Sequence, residues 1–219
     1  MRSELFGKHG EVESDGAFVL QNERMLKVRL NGEIMARQGA MIAYQGQIDF
    51  SYQGSGSVAK FLKKAVTGEG LPLMKCSGQG DLFLANDADE VFVLTLENES
   101  VVVNGNNILA FESSLQWDVK RVEGASMFAG GLFNTTITGS GSVAIVCHGS
   151  PVVLDTNTPT FADVQSAVAW SGNVKTKVNV SVKAGAMIGR GSGEAAQIAY
   201  GPGGFVIVQA SEGVQIPTS

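Results

Sequence analysis

Polar and apolar residues alternate along much of the chain. Gln47-Ile48-Asp49-Phe50-Ser51-Tyr52 switches character at every step, and the segment 175–182 does the same. A period of two sends one side chain into a core and the next into solvent, which predicts half-buried strands in antiparallel sheets packed face to face. Three short runs, Leu82-Phe83-Leu84, Val143-Ala144-Ile145-Val146 and Phe205-Val206-Ile207-Val208, have the length of core strands. Lys27-Val28-Arg29-Leu30-Asn31-Gly32-Glu33-Ile34 reads as two strands joined at an Asn-Gly hairpin turn, because both turn residues tolerate positive φ. Val101-Val102-Val103-Asn104-Gly105-Asn106-Asn107-Ile108 repeats that form. Helical spacing appears in 55–68, where Val58, Phe61, Leu62 and Ala65 share a face between an N-cap at Ser57 and a stop at Gly68. One short helix is expected there.

The same marks return at a fixed distance. Gly70, Gly78 and Gly80 form one set, Gly131, Gly139 and Gly141 a second, and Gly193, Gly201 and Gly203 a third. Each set precedes one of the apolar strands, and the Gly-x-Gly pairs lie 61 and 62 residues apart. Recurrence of this kind signals an internal repeat. It predicts an all-β chain of three tandem β-sandwich modules in a single unit: 25–98 with a helical insertion at 55–68, then 99–150, then 151–213. The six glycines Gly78, Gly80, Gly139, Gly141, Gly201 and Gly203 are read as turn positions needing positive φ or close backbone approach. Tyr44, Trp117 and Trp170, at similar distances from the strands before them, are read as equivalent core aromatics.

Composition agrees with many short strands: Gly 28, Pro 5, 44% hydrophobic and 17% charged residues. The net charge of −5 repels phosphate backbones, so nucleic acid is not expected as a partner. Single-stranded nucleic acid would need Tyr44, Trp117 and Trp170 exposed beside basic residues. Cys76 and Cys147 show no CxxC or Cys/His spacing and read as buried free thiols of a reducing compartment. The first 16 residues lack the apolar core of a secretion signal, and the longest apolar run is the five residues Val143 to Cys147. A cytoplasmic location is expected.

Catalytic chemistry has few candidates. His9 and His148 are the two histidines, and neither has a nucleophile and an orienting acid nearby in sequence. Asn86-Asp87-Ala88-Asp89-Glu90 lacks the spacing of a calcium loop and reads as a solvated hairpin turn. The Gly-x-Gly pairs lead into strands, whereas phosphate loops lead into helices. No catalytic, cofactor-binding or metal-ligating residue is therefore assigned, and no cofactor is expected. Lys60, Lys63 and Lys64, beside Phe61 and Leu62, form a short basic amphipathic stretch within 57–66. It could give weak contact with a membrane or protein, although a helix capping the sandwich with solvated lysines accounts for it as well.

The segment Arg37-Gln38-Gly39-Ala40-Met41-Ile42-Ala43-Tyr44, the stretch from Gly130-Gly131-Leu132-Phe133 to Gly139-Ser140-Gly141, and Gly201-Pro202-Gly203-Gly204-Phe205 to Gln209 carry a family resemblance. On these the chain resembles the altered inheritance of mitochondria protein twenty-four family, a domain of unknown function. The resemblance implies three tandem modules of a shortened double-stranded β-helix in a pseudo-threefold arrangement, similar to the ring-forming trp RNA-binding attenuation protein. It implies no catalytic residue, and the repeated basic rim of that RNA-binding protein has no counterpart here. Three open modules leave sheet edges to be covered or paired. The expected function is a non-enzymatic, self-assembling scaffold or binding protein, with a homotrimer of nine modules closing a ring. The alternative is a small-molecule-binding protein or enzyme using a pocket within one β-module.

Overall fold

A computed structural model of the protein describes residues 3–52, 73–121, 133–180 and 196–211. It begins with a five-residue helix, α1 (Glu4–Lys8), and continues through β1 (Phe18–Asn22), β2 (Met25–Arg37), β3 (Met41–Tyr52), β4 (Leu73–Leu84) and β5 (Glu90–Asn104). A 3-10 turn, η1 (Gly105–Asn107), leads to β6 (Ile108–Glu112), β7 (Gln116–Arg121) and β8 (Phe133–Cys147). The remainder is β9 (Val152–Asp155), β10 (Thr160–Asp163), β11 (Ala167–Ser171), β12 (Thr176–Val180), β13 (Ala196–Tyr200) and β14 (Phe205–Val208). All the strand pairings are antiparallel. The fold is all-β. The short helix among the described residues is α1, held by a Ser3 cap and a Glu4–Lys8 pair rather than by apolar spacing. The helix expected at 55–68 lies outside the described residues, as do Gly70, Gly131 and Gly193.

Several strands run far beyond the typical five or six residues: β2 has 13, β4 12, and β5 and β8 15 each. They bend instead of ending. Gly32, Gly46, Gly78, Gly80, Gly139 and Gly141 all take positive φ inside a strand. Gly32 faces Gly78 across one ladder, and Gly46 faces Gly80 across the next. Residues on one face of both arms of β2 and β4, among them Leu26, Val28, Ile34, Ala36, Met74, Cys76, Leu82 and Leu84, line a single core, so the sheet curls round it.

Gly78, Gly80, Gly139, Gly141 and Gly203 do take the positive φ expected of them, but the first four do not sit in turns. Gly78, Gly80, Gly139 and Gly141 bend a strand that continues in the same direction, and Gly201 and Gly203 lie in the short break between β13 and β14. Asn31-Gly32 is not a hairpin turn either, because β2 runs straight through it paired with β4. Asn104-Gly105 does turn the chain, with Asn104 capping η1, but β8 lies between the two strands that it joins.

The large sheet has the order β3-β4-β2-β6-β8-β5-β11-β14-β9, with β1 also on β2 and β7 also on β8; a second sheet has the order β10-β13-β12. Within these orders β4 lies between β2 and β3. In the same way β8 lies between β5 and the consecutive strands β6 and β7. The consecutive strands β13 and β14 lie between β10 and β12 and between β9 and β11. β2 joins the first group to the second through β6, and β5 joins the second to the third through β11. Three buried clusters are centred on these groups, and the first two also take in residues of their neighbours, such as Leu109 and Ala110 in the first and Val168 and Ala169 in the second.

Candidate functional site

The one buried lysine among the described residues sits beneath the N-terminal arm. Lys27, on β2, lies 3.0 Å from Asp81 Oδ2 and donates to Glu11 Oε2 (3.2 Å) and the Val12 carbonyl (3.3 Å). Its ammonium also stands 5.7 Å from the centre of the Phe83 ring. The bond to Asp81 raises its pKa, with Glu11 adding to the effect. Glu11 is held below its ordinary value by the Gln45 amide first and Lys27 second. Glu13, Ser14, Asp15 and Arg29 complete an open cleft of about 760 Å³. Every partner that Lys27 needs comes from this chain, so the arrangement ties residues 10–17 to the sheet.

A second polar cluster lies where the second and third groups meet. His148 Nδ1 is 2.8 Å from Asp89 Oδ1, and Asn86 donates to the other carboxylate oxygen. Sequence reading missed this pair because its members lie in different turns, 59 residues apart. Ser150, two residues on, gives its hydroxyl hydrogen to Glu90 rather than to the imidazole. A serine nucleophile has to be bonded to its base, so these residues do not form a triad. Asn86 to Asp89 close a tight turn with Asp87 and Ala88 at positive φ, but it joins β4 to β5, which are not neighbours. The expected hairpin is therefore a plain connecting turn. His9 is exposed in the N-terminal segment. No group of three potential ligands that could hold a metal occurs among the described residues.

Both thiols are free and buried, Cys76 in the first core and Cys147 in the second. Burial pushes Cys76 up to about 11; burial, reinforced by Glu90 and Asp89, pushes Cys147 up to about 12. Neither supplies a thiolate near neutral pH.

Apart from Leu5 and Phe6 on α1, the exposed large apolar side chains lie on strands with one partner among the described residues, including Leu20 on β1 and Trp117 on β7. Met41, Ile42, Tyr44 and Phe50 project from β3, Val152 and Val153 from β9, and Phe161 from β10. Each of these strands has one neighbour among the described residues. From Met41 to Ser51 all residues of β3 except Ile48 are exposed. Tyr44 and Phe50 meet edge to face at 5.4 Å on that surface. The expectation of equivalent core aromatics is corrected here. Trp170 is buried against Tyr200, but Tyr44 and Trp117 are exposed. Trp117 pairs with Ile137, two residues before Gly139, whereas Tyr44 pairs with Leu82, two residues after Gly80. Their immediate neighbours Ala43, Gln45, Gln116 and Asp118 carry no positive charge for a nucleic-acid platform.

Residues 18–211 match the family model of mitochondrial biogenesis AIM24. The chain belongs to the AIM24 family. Among solved structures, the AIM24-family chain is similar to protein SPYM3_0169 from Streptococcus pyogenes, with 21% identity and a TM-score of 0.70. The match covers 89% of this chain and 92% of that one, and it establishes a shared fold. No curated protein matches the sequence. Lys60, Phe61, Lys63 and Lys64 lie outside the described residues. No helix among the described residues is long and apolar enough to cross a membrane.

Proposed function

We propose that this AIM24-family protein is a non-enzymatic, self-assembling β scaffold built from three tandem modules, 25–98, 99–150 and 151–213. The observation that carries the reading is the edge of β3, which exposes Met41, Ile42, Tyr44 and Phe50. A strand of that length with an unpaired row of backbone groups and four large apolar side chains would aggregate unless a partner covered it. The module reading is supported by the strand order, in which a central strand flanked by two others occurs three times. A homotrimer, with nine modules in a ring, is the assembly proposed.

A pocket within one β-module is the weaker reading. The Lys27 cleft lies between the N-terminal arm and β2, and its cation is already matched by Asp81 and Glu11. Light scattering coupled to gel filtration at micromolar concentration tests the scaffold. The expected mass is three times the 22.9 kDa of one chain, and a 22.9 kDa particle would refute self-assembly.

A further inference from the structure

Three strands carry the same local pattern, two apolar residues, an alanine and an aromatic, and among the described residues one of them lacks the neighbour that covers the others. β3, β6 and β11 each slip register at one point: between Met41 and Ala43, between Ile108 and Ala110, and between Ala167 and Ala169. An aromatic follows each slip. Tyr44 lies opposite Leu82, Phe111 opposite Val143, and Trp170 opposite Val206. Phe111 is 0% exposed and Trp170 3%, but Tyr44 is 47% exposed. The residues inside the slip behave alike, with Leu109 and Val168 at 0% and Ile42 at 55%.

The side chains are of one kind, so the difference comes from what lies beside the strand. β6 is laid on β2 and β11 on β5, while no strand among the described residues lies on the outer side of β3. Leu109 and Ala110 belong to the core of the group before their own, and so do Val168 and Ala169. Among the described residues, the third core receives no such pair from a following strand.

The receiving edges show the same contrast. Ile34 on β2 and Val101 on β5 pair across these joints with Glu112 and Ser171, and they are 4% and 1% exposed. Ile34 lies opposite Cys76 and Val101 opposite Ile137, each two residues before the first bend glycine of its central strand. The residue opposite Ala199, two before Gly201, is Phe161 of β10, and it is 56% exposed.

We propose that β3 of one copy pairs antiparallel with β10 of a second copy, placing Ile42 and Ala43 in that copy's third core. The register follows from the two joints inside the chain. Met35 faces Phe111 and Val102 faces Trp170, which sets Ala162 opposite Tyr44 of the next copy. Because the joint uses two different edges, it runs head to tail and propagates until a ring closes. The inference rests on the self-assembly reading above and adds to it the joint and its direction.

Paired cysteines test the joint directly. A Tyr44→Cys/Ala162→Cys chain, oxidised mildly and alkylated before denaturation, is expected to give covalent multimers on a denaturing gel, while each single variant gives none. Cys76 and Cys147 are buried and stay silent. Ile42→Asp, at a position exposed in the single chain, is expected to leave the circular dichroism unchanged and reduce the particle to 22.9 kDa. An assembled protein that fails to cross-link, cross-links through Tyr44→Cys alone, or stays assembled with Ile42→Asp overturns the joint and leaves self-assembly standing. A monomeric parent protein overturns both.

Discussion

Gly80 has no room for a side chain. A Cβ there would overlap the backbone carbonyl oxygen of Gln45, and one on Gly78 would overlap that of Gln47. Both obstacles are main chain of β3, which runs unbroken beside the bend. Gly141 takes the same position in β8, two residues after Gly139, but its surroundings differ. β6 has ended and β7 has not begun there, so the nearest atoms that a Cβ would meet are side chain, the Glu112 carboxylate at 3.1 Å and Leu115 at 3.4 Å. Both glycines hold positive φ, which alone disfavours alanine by about 1–3 kcal/mol. Gly80→Ala adds a backbone collision and is expected to cost about 3 kcal/mol or more, whereas Gly141→Ala should cost about 1–2 kcal/mol. Urea unfolding of the two variants checks this order, and equal midpoints would refute it. The sequence shows that these glycines recur, but a Gly-x-Gly pair looks the same in a reversing turn and in a bent strand. Only the partner strand across the ladder separates the two.

At the level of elements, buried asparagines fix where the strand groups join. Asn107, at the end of η1, donates from one amide to the Val146 carbonyl and to Gln209 Oε1, at 2.8 and 3.0 Å. Gln209 also accepts from the His148 backbone and donates, through its own backbone, to the Ser166 carbonyl, so a single residue links the end of β8, η1 and the turn before β11. Asn107→Ala would leave a buried carbonyl and an amide oxygen without this donor. A loss of about 1–3 kcal/mol is expected, read as a lower thermal midpoint, and an unchanged midpoint would show that the link bears no load. None of this is visible in the string Asn104-Gly105-Asn106-Asn107, which signals a turn but not the partners of its side chains. The aromatic positions were hidden differently. Ala43-Tyr44, Ala110-Phe111 and Ala169-Trp170 match in register, yet the aromatics are 67 and 59 residues apart rather than 61 and 62. Counting about fourteen residues on from Val103, as from Leu30 to Tyr44, ends on Trp117, whereas Phe111 follows Val103 by eight because η1 leads directly into β6, so Phe111 is passed over. Exposure of Tyr44 has no signature in the sequence at all, because its neighbours are as apolar as those of the buried pair. The all-β class and the glycine recurrence were legible because they depend on local pattern; the joints were not, because they depend on pairing between distant strands.

Across the whole molecule, each of the three cores contains one buried acid in its protonated form. Cys76 lies in the first, Cys147 in the second and Tyr200 in the third. Burial raises all three pKa values, Cys76 from 9.0 to about 11, Cys147 from 9.0 to about 12, and Tyr200 above its ordinary 10.0. The Tyr200 hydroxyl is buried without a hydrogen-bond partner, so no neighbour stabilises its phenolate. In the unfolded chain these groups ionise near their ordinary values, while the folded chain keeps the protons. Between about pH 9 and pH 11 the unfolded state therefore binds fewer protons, and stability falls as pH rises, by up to about 1.4 kcal/mol per unit for each group. Lys27 acts in the same direction, since its raised pKa makes the folded state hold a proton that the unfolded state releases above about 10.5. Below about pH 8 these terms are fully present and constant. The urea midpoint should hold steady from pH 7 to about 8 and decline steeply above about pH 9. The joints β2–β6 and β5–β11 bind the three cores into one ladder, so fluorescence from Trp117 and Trp170 should report that decline with the same midpoint as circular dichroism. A midpoint unchanged to pH 11 would mean that the thiols ionise in place. Separate transitions for the two probes would mean that the third core melts independently of the other two.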